Sequence, residues 1–233
     1  MAIESLNLTA FRDQLEEARR PTHGATHPWS QAWADGRLSL RQMAEWAKQH
    51  HYYIDVVAQN FAALFARCDD LASRQFILDN LVGEELEGER HPALLLRFAI
   101  ACGMSREEVL DADRNGEILP ATRGLRSWVT ELAYQRPIAE AGAGIMVGLE
   151  GQLPKMYPLY VERCKALGLT DDDLMFFTVH ITGDVGHNEN GLRLVEHFAT
   201  TPALQRAAIG AVRASGQMRK AYLDAVYEHF GPR

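Results

Sequence analysis

Hydrophobic positions recur along this chain at steps of three and four residues, and period-two runs of β-branched residues are almost absent, so the pattern predicts an all-α protein. About seven to eight helices account for the periodic segments. Residues 39–67 read as one long amphipathic helix: Ser39 can cap it, and Leu40, Met43, Trp46, His50, Tyr53, Val57, Phe61 and Leu64 follow the helical step. A second helix is expected from Ser73 to Ala101, stopped by Gly103, with shorter ones from Ser105 to Asp113 and from Thr122 to Gln135. Pro137 suits the first turn of the next helix, which continues to Gly168 with a kink at Pro154. Thr170, followed by three aspartates, opens a helix reaching Phe198, and Thr201-Pro202 opens the last, reaching Phe230. No repeat, linker or low-complexity stretch divides the chain, so residues 1–233 are expected to form a single helical domain.

The stretch after Pro137 is lean. Gly142, Gly144, Gly148 and Gly151 each cost a helix about 1 kcal/mol relative to Ala, which makes sense where something must come close. Another helix and a bound molecule are both open readings.

Composition narrows the function. With 47% hydrophobic residues, 24% charged residues and a formal charge of −7, the chain offers no basic patch for nucleic acid or an anionic membrane. No apolar run approaches the roughly 20 residues that span a bilayer, and the first residues lack a secretion-signal pattern, so a cytoplasmic protein is expected. Cys68, Cys102 and Cys164 are far apart and odd in number, which points to buried reduced thiols rather than disulfides or a zinc site. Phosphate-binding glycine loops are absent. The broad apolar faces of residues 39–67 and 202–230 suggest a homodimer.

Three segments place potential metal ligands on separate helices. On the helix expected over 73–101, Glu84 and His91 are seven apart and so about 20° from eclipsed, two turns along one face. His180, Asp184 and His187 fall within an arc of roughly 60°. Glu150 sits in the apolar stretch IMVGLEGQLP, where a cation would make a buried carboxylate tolerable. Taken singly, each group reads as a solvated edge or a local hydrogen bond. Together they form a mixed oxygen and nitrogen set suited to iron or manganese, and zinc would bind it too. Six converging ligands exceed the need of one ion and suggest two.

At these residues the sequence resembles the haem-oxygenase-like dimetal oxidases and oxygenases. The family pattern is Glu-x6-His, a lone Glu, then His-x3-Asp-x2-His, and the chain fills it with Glu84, His91, Glu150, His180, Asp184 and His187. The segments HPWSQAWADGRLS and WAKQHHYY are also similar to this superfamily, whose branches include a chlamydial p-aminobenzoate synthase, pyrroloquinoline quinone synthase and thiaminase II. The resemblance covers roughly residues 20–200. It implies a compact helical bundle with the site at its centre, two iron ions (or manganese, or one of each) and dioxygen as co-substrate. In the p-aminobenzoate branch, tyrosines that the enzyme consumes precede the lone Glu and the first His of the last motif. Here those places hold Leu149 and Phe176, which argues against that self-sacrificing chemistry.

The leading expectation is therefore a dioxygen-activating oxidase or oxygenase of a small amino acid or carboxylic acid, in a biosynthetic pathway. Tyr53 and His50 are the candidate proton and electron donors, with Trp46, Lys155 and Tyr157 as candidate substrate contacts. Arg213, Arg219 and Lys220 read as a solvated edge, and His23 and His27 as marginal candidates for the pocket mouth. Two alternatives stand beside it: cofactor-free oxidation of a quinone-type substrate, and a non-catalytic interaction protein that keeps the metal as a structural clamp.

Overall fold

Side-chain caps and prolines punctuate the chain into helices. In the computed structural model, the described residues are 5–85 and 89–233, and the side chains of residues 182–187 are not described. Asn7 caps α1 (Leu8–Arg19), accepting from the Ala10 amide. His27 caps α2 (Pro28–Ala34) through Nδ1, with Pro28 in the first turn. Ser39 and Gln42 form a reciprocal capping box on α3 (Leu40–Ile54), and Ser105 and Glu108 do the same on α7 (Arg106–Leu110).

The expected helix over 39–67 is two helices. Asp55 closes α3 and Val56, at φ −112° and ψ 5°, precedes α4 (Val57–Arg67). Neither Gly nor Pro marks this break. It lets α3 pack against α6 (His91–Ala101) while α4 turns onto α5 (Leu71–Glu85). The expected helix from Ser73 to Ala101 is likewise divided into α5 and α6. Pro92 lies in the first turn of α6, where its missing N–H costs no helical hydrogen bond, and Arg90, extended at ψ 138°, stands at the N-cap. Helix α5 starts earlier than expected, because Asp70 rather than Ser73 is the cap and accepts from both the amide and the hydroxyl of Ser73.

After α8 (Pro120–Gln135) the expected continuous helix also resolves into pieces: α9 (Ile138–Gly142), a π-helical segment Ala143–Leu149, a short 3₁₀ turn Glu150–Gln152, and α10 (Leu153–Ala166). Wider π turns leave carbonyls in need of donors. Buried Arg19 donates to the Val147 carbonyl at 3.1 Å, and buried Gln152 donates to that of Gly148 at 2.5 Å. The aspartates after Thr170 form a turn rather than helix, and α11 runs Met175–Phe198 before α12, Pro202–Phe230, capped by Thr201. These divisions give more, shorter helices than the periodicity implies.

Helix α12 is the spine, packed against the π segment and α1, α8 and α9. The lean stretch makes that approach possible. A Cβ on Gly144 would lie 2.5 Å from Leu132 Cδ1 and 2.8 Å from Ser215 Oγ, and one on Gly148 would lie 3.2 Å from Ser215 Cβ. Helix packing, rather than a bound molecule, accounts for these glycines. Below them an aromatic cluster fills the centre: Trp33 stacks on Tyr160 with centroids 4.1 Å apart, and Trp46, Phe98 and Phe177 close around it. The three cysteines are buried and unpaired by disulfides. No helix among the described residues is long and apolar enough to cross a membrane.

Gly144→Ala is expected to destabilise by about 1–3 kcal/mol, because the added methyl overpacks against α8 and α12. Gly210→Ala on α12, where an added Cβ meets nothing within 4 Å, should instead be neutral or stabilise by up to about 1 kcal/mol. Denaturant midpoints of the two variants test the contrast.

Candidate metal centre

The two halves of the broken 73–101 stretch converge. Although Glu84 lies in the last turn of α5 and His91 begins α6, Glu84 Oε2 lies 2.9 Å from His91 Nδ1. His180 on α11 joins them, with ring centroids 4.5 Å from His91. One ligand atom from each of Glu84, His91 and His180 lies within 4.8 Å of the others, and all three residues are buried. A carboxylate and two imidazoles at this spacing could hold a metal ion, and a mixed oxygen and nitrogen set suits iron, manganese or zinc.

Neighbouring groups orient these ligands. The His180 Nδ1–H donates to the Phe176 carbonyl at 2.6 Å, which leaves Nε2 as the lone-pair nitrogen, the usual arrangement for a ligating histidine. Glu150, in the 3₁₀ turn that follows the π segment, lines the same cavity, and Asn80 Nδ2 donates to its Oε2 at 3.0 Å. Asn80, 1% exposed on α5, carries no signal in the sequence beyond its position four residues before Glu84. Asp184 and His187 lie outside the residues whose side chains are described.

The cavity measures about 30 Å³ and is walled by Ile54, Val57, Leu153 and Phe176 on its apolar side. Tyr53, His50 and Tyr157 also line it. His50 is enclosed: Trp46 stacks on it at 4.6 Å, Tyr157 Oη is 3.4 Å from Nε2 and Tyr222 Oη is 3.4 Å from Nδ1. Burial, reinforced by Arg219, pushes the His50 pKa well below the ordinary histidine value, so the ring is neutral. Burial also raises the Tyr53 phenol to about 12, against the opposing pull of Arg219, so Tyr53 keeps its proton at neutral pH.

The remaining candidates are placed less centrally. Trp46 is buried behind His50 and does not line the cavity, and Lys155 is exposed. His23 and His27 serve as backbone caps, His23 Nδ1 accepting from Ala25 and His27 Nδ1 from Trp29, while His27 Nε2 faces Asp224 at 3.0 Å. Arg219 corrects the reading of a solvated edge. It is 4% exposed and lines the cavity together with Tyr53, because this turn of α12 faces the bundle interior. Lys220, one residue on, points outward and pairs with Asp224.

Known proteins share this arrangement of helices. A family described as iron-containing redox enzymes, of the haem-oxygenase type, matches residues 44–220. A 4-aminobenzoate synthase of Nitrosomonas europaea is 29% identical over 231 residues, covering 94% of this chain and 92% of the relative. A pyrroloquinoline-quinone synthase of Acidiphilium cryptum is 28% identical over 232 residues, covering 94% of this chain and 90% of the relative. The crystal structure of a TenA homologue from Pseudomonas syringae superposes with a TM-score of 0.80 at 16% identity, covering 98% of this chain and 100% of that one, and shows the common fold. The helical architecture, the buried Glu and His cluster and the extent of the family match lead to one assignment: the chain belongs to the haem-oxygenase-like family of iron-containing redox enzymes.

Proposed function

We propose that the protein is a non-haem oxidase or oxygenase that uses two iron ions and dioxygen to oxidise a small amino acid or carboxylic acid in a biosynthetic pathway. The observation that carries this reading is the convergence of Glu84, His91 and His180 in one buried cavity that Glu150 also lines. The spacing of the last motif adds Asp184 and His187 to the set. Manganese in one or both positions is compatible with the same donors.

When bound, the metal pair would supply the redox chemistry and the affinity for dioxygen. The protein's share is positional. The Phe176 carbonyl orients the His180 ring through Nδ1–H, so that Nε2 is the nitrogen that would ligate, and Asn80 holds the Glu150 carboxylate through Oε2. Ile54, Val57, Leu153 and Phe176 keep bulk water from the reacting atoms. Neutral His50 lies between the hydroxyls of Tyr157 and Tyr222, so it can accept a proton from one hydroxyl side while donating to the other. Tyr53, protonated at neutral pH, presents a phenolic O–H at the cavity wall.

The likeness to pyrroloquinoline-quinone synthase, together with the enclosed neutral His50, favours a second reading: oxidation without a metal, in which histidine handles protons and a quinone-type substrate handles electrons.

Protein produced with iron and purified without oxygen is expected to hold about two irons per chain and to consume dioxygen on exposure. Activity that survives complete metal removal would overturn the dimetal reading in favour of the second. Glu84→Ala should abolish oxygen consumption and lower metal content. A loss confined to thermal stability, with turnover intact, would make the metal a structural clamp instead. Asn80→Ala, which removes the partner that orients Glu150, is expected to weaken metal retention or turnover by about 10–100-fold while the helical content is unchanged, as measured by metal titration and circular dichroism.

A further inference from the structure

Arg219 stands out among the cavity residues. Its guanidinium is buried on α12, only 4% of the residue is exposed, and its Nε has no hydrogen-bond partner. Among the described residues no carboxylate lies within ion-pair distance of it, whereas ion pairs lock most of the other arginines in place on the surface. The Tyr53 side chain lines the same cavity beside it. A buried cation without an anion is costly, and a neutral phenol offsets little of that cost.

We infer that Arg219, with Tyr53 beside it, is the anchor for a carboxylate on the substrate. This inference rests on the dimetal reading and deepens it by naming the residue that holds the substrate's carboxylate. Guanidinium presents a planar fork of N–H donors that matches a carboxylate, and a carboxylate held there gains charge-assisted hydrogen bonds that a neutral amide cannot make. The unpartnered Nε supplies one arm of the fork, and the Tyr53 O–H, which keeps its proton, can donate a further hydrogen bond to the same group. Placement supports the role. Arg219 shares the cavity with Glu84, His91, Glu150 and His180, so a carboxylate resting on it puts the adjoining carbon atoms beside the proposed metals. Once cations have neutralised Glu84 and Glu150, the guanidinium attracts the substrate's charge without competition from those two side chains. Arg219 is therefore a binding residue that selects acids over their neutral analogues.

The test is a binding measurement that needs no turnover. Zinc-loaded wild-type protein is titrated with acetate and with acetamide by ligand-observed NMR, alongside Arg219→Gln and Arg219→Lys. Wild type should bind acetate at least about tenfold more tightly than acetamide. Arg219→Gln should lose about tenfold in acetate affinity with acetamide and zinc content unchanged, and Arg219→Lys should fall between, because it keeps the charge and loses the fork. Equal acetate affinity in wild type and Arg219→Gln overturns the anchor. If Arg219→Gln does not fold, Arg219→Lys decides, and undiminished acetate binding there overturns the proposal. Zinc and iron content of wild type judge the dimetal reading separately, so the two can fail independently.

Discussion

Burying ionisable side chains among aromatic rings is the constraint on which the centre of this protein depends. Glu84, Glu150, His91, His180 and Arg219 share one cavity walled by Phe176, Leu153 and Ile54, where water can screen little of their charge. Such a set persists only if its members are compensated. Asn80 donates to Glu150, the Phe176 carbonyl accepts from His180, and Glu84 lies 2.9 Å from His91. Cations among the carboxylates and an anion on Arg219 would complete that compensation, so the ligand chemistry and the folding energetics of the site are one problem.

The close approach of the π segment to α12 is what assembles the groups. Gly144 and Gly148 let the π segment come close to α12, where a Cβ at either position would crowd Leu132, Val212 and Ser215, and Glu150 and Arg219 line one cavity next to this contact. The irregular backbone is supported from outside: Arg19 and Gln152 satisfy carbonyls that the wider turns leave open. Gln152 also accepts from the Gly24 amide at 2.7 Å, which ties the entry of α2 to this turn. The helix that carries Glu150 is thus shaped by partners far away in sequence.

Behind the site, the aromatic cluster gives the ligand-bearing helices a rigid seat. Trp33 from α2, Trp46 from α3, Phe98 from α6, Tyr160 from α10 and Phe177 from α11 interlock by stacked and edge-on contacts. Phe177 faces this cluster while its neighbour Phe176 faces the cavity, so one turn of α11 joins the core to the site. The Tyr160 hydroxyl bonds Ser30 at 2.7 Å rather than the cavity, which separates it in role from Tyr157.

Much of this was legible in the residues themselves. Periodicity at three and four residues marks the helices, because a helix must bury one stripe, and Ser39, Ser105 and Thr201 cap where their hydroxyls can reach free amides. The spacing of Glu84, His91, Glu150 and His180 marks a candidate metal-binding set, because carboxylates and imidazoles are seldom buried without a cation or a partner. Only the tertiary structure decided where the helices break. The turn at Asp55–Val56 has no Gly or Pro to announce it, and α5 and α6 are separate helices whose ends meet at Glu84 and His91. It also decided that Arg219 points inward and Lys220 outward, that Asn80 supports Glu150, and that the glycines serve helix packing. The physical reason is that side-chain type and local period are properties of a segment, whereas burial of a charge and the end of a helix depend on which other segment lies against it.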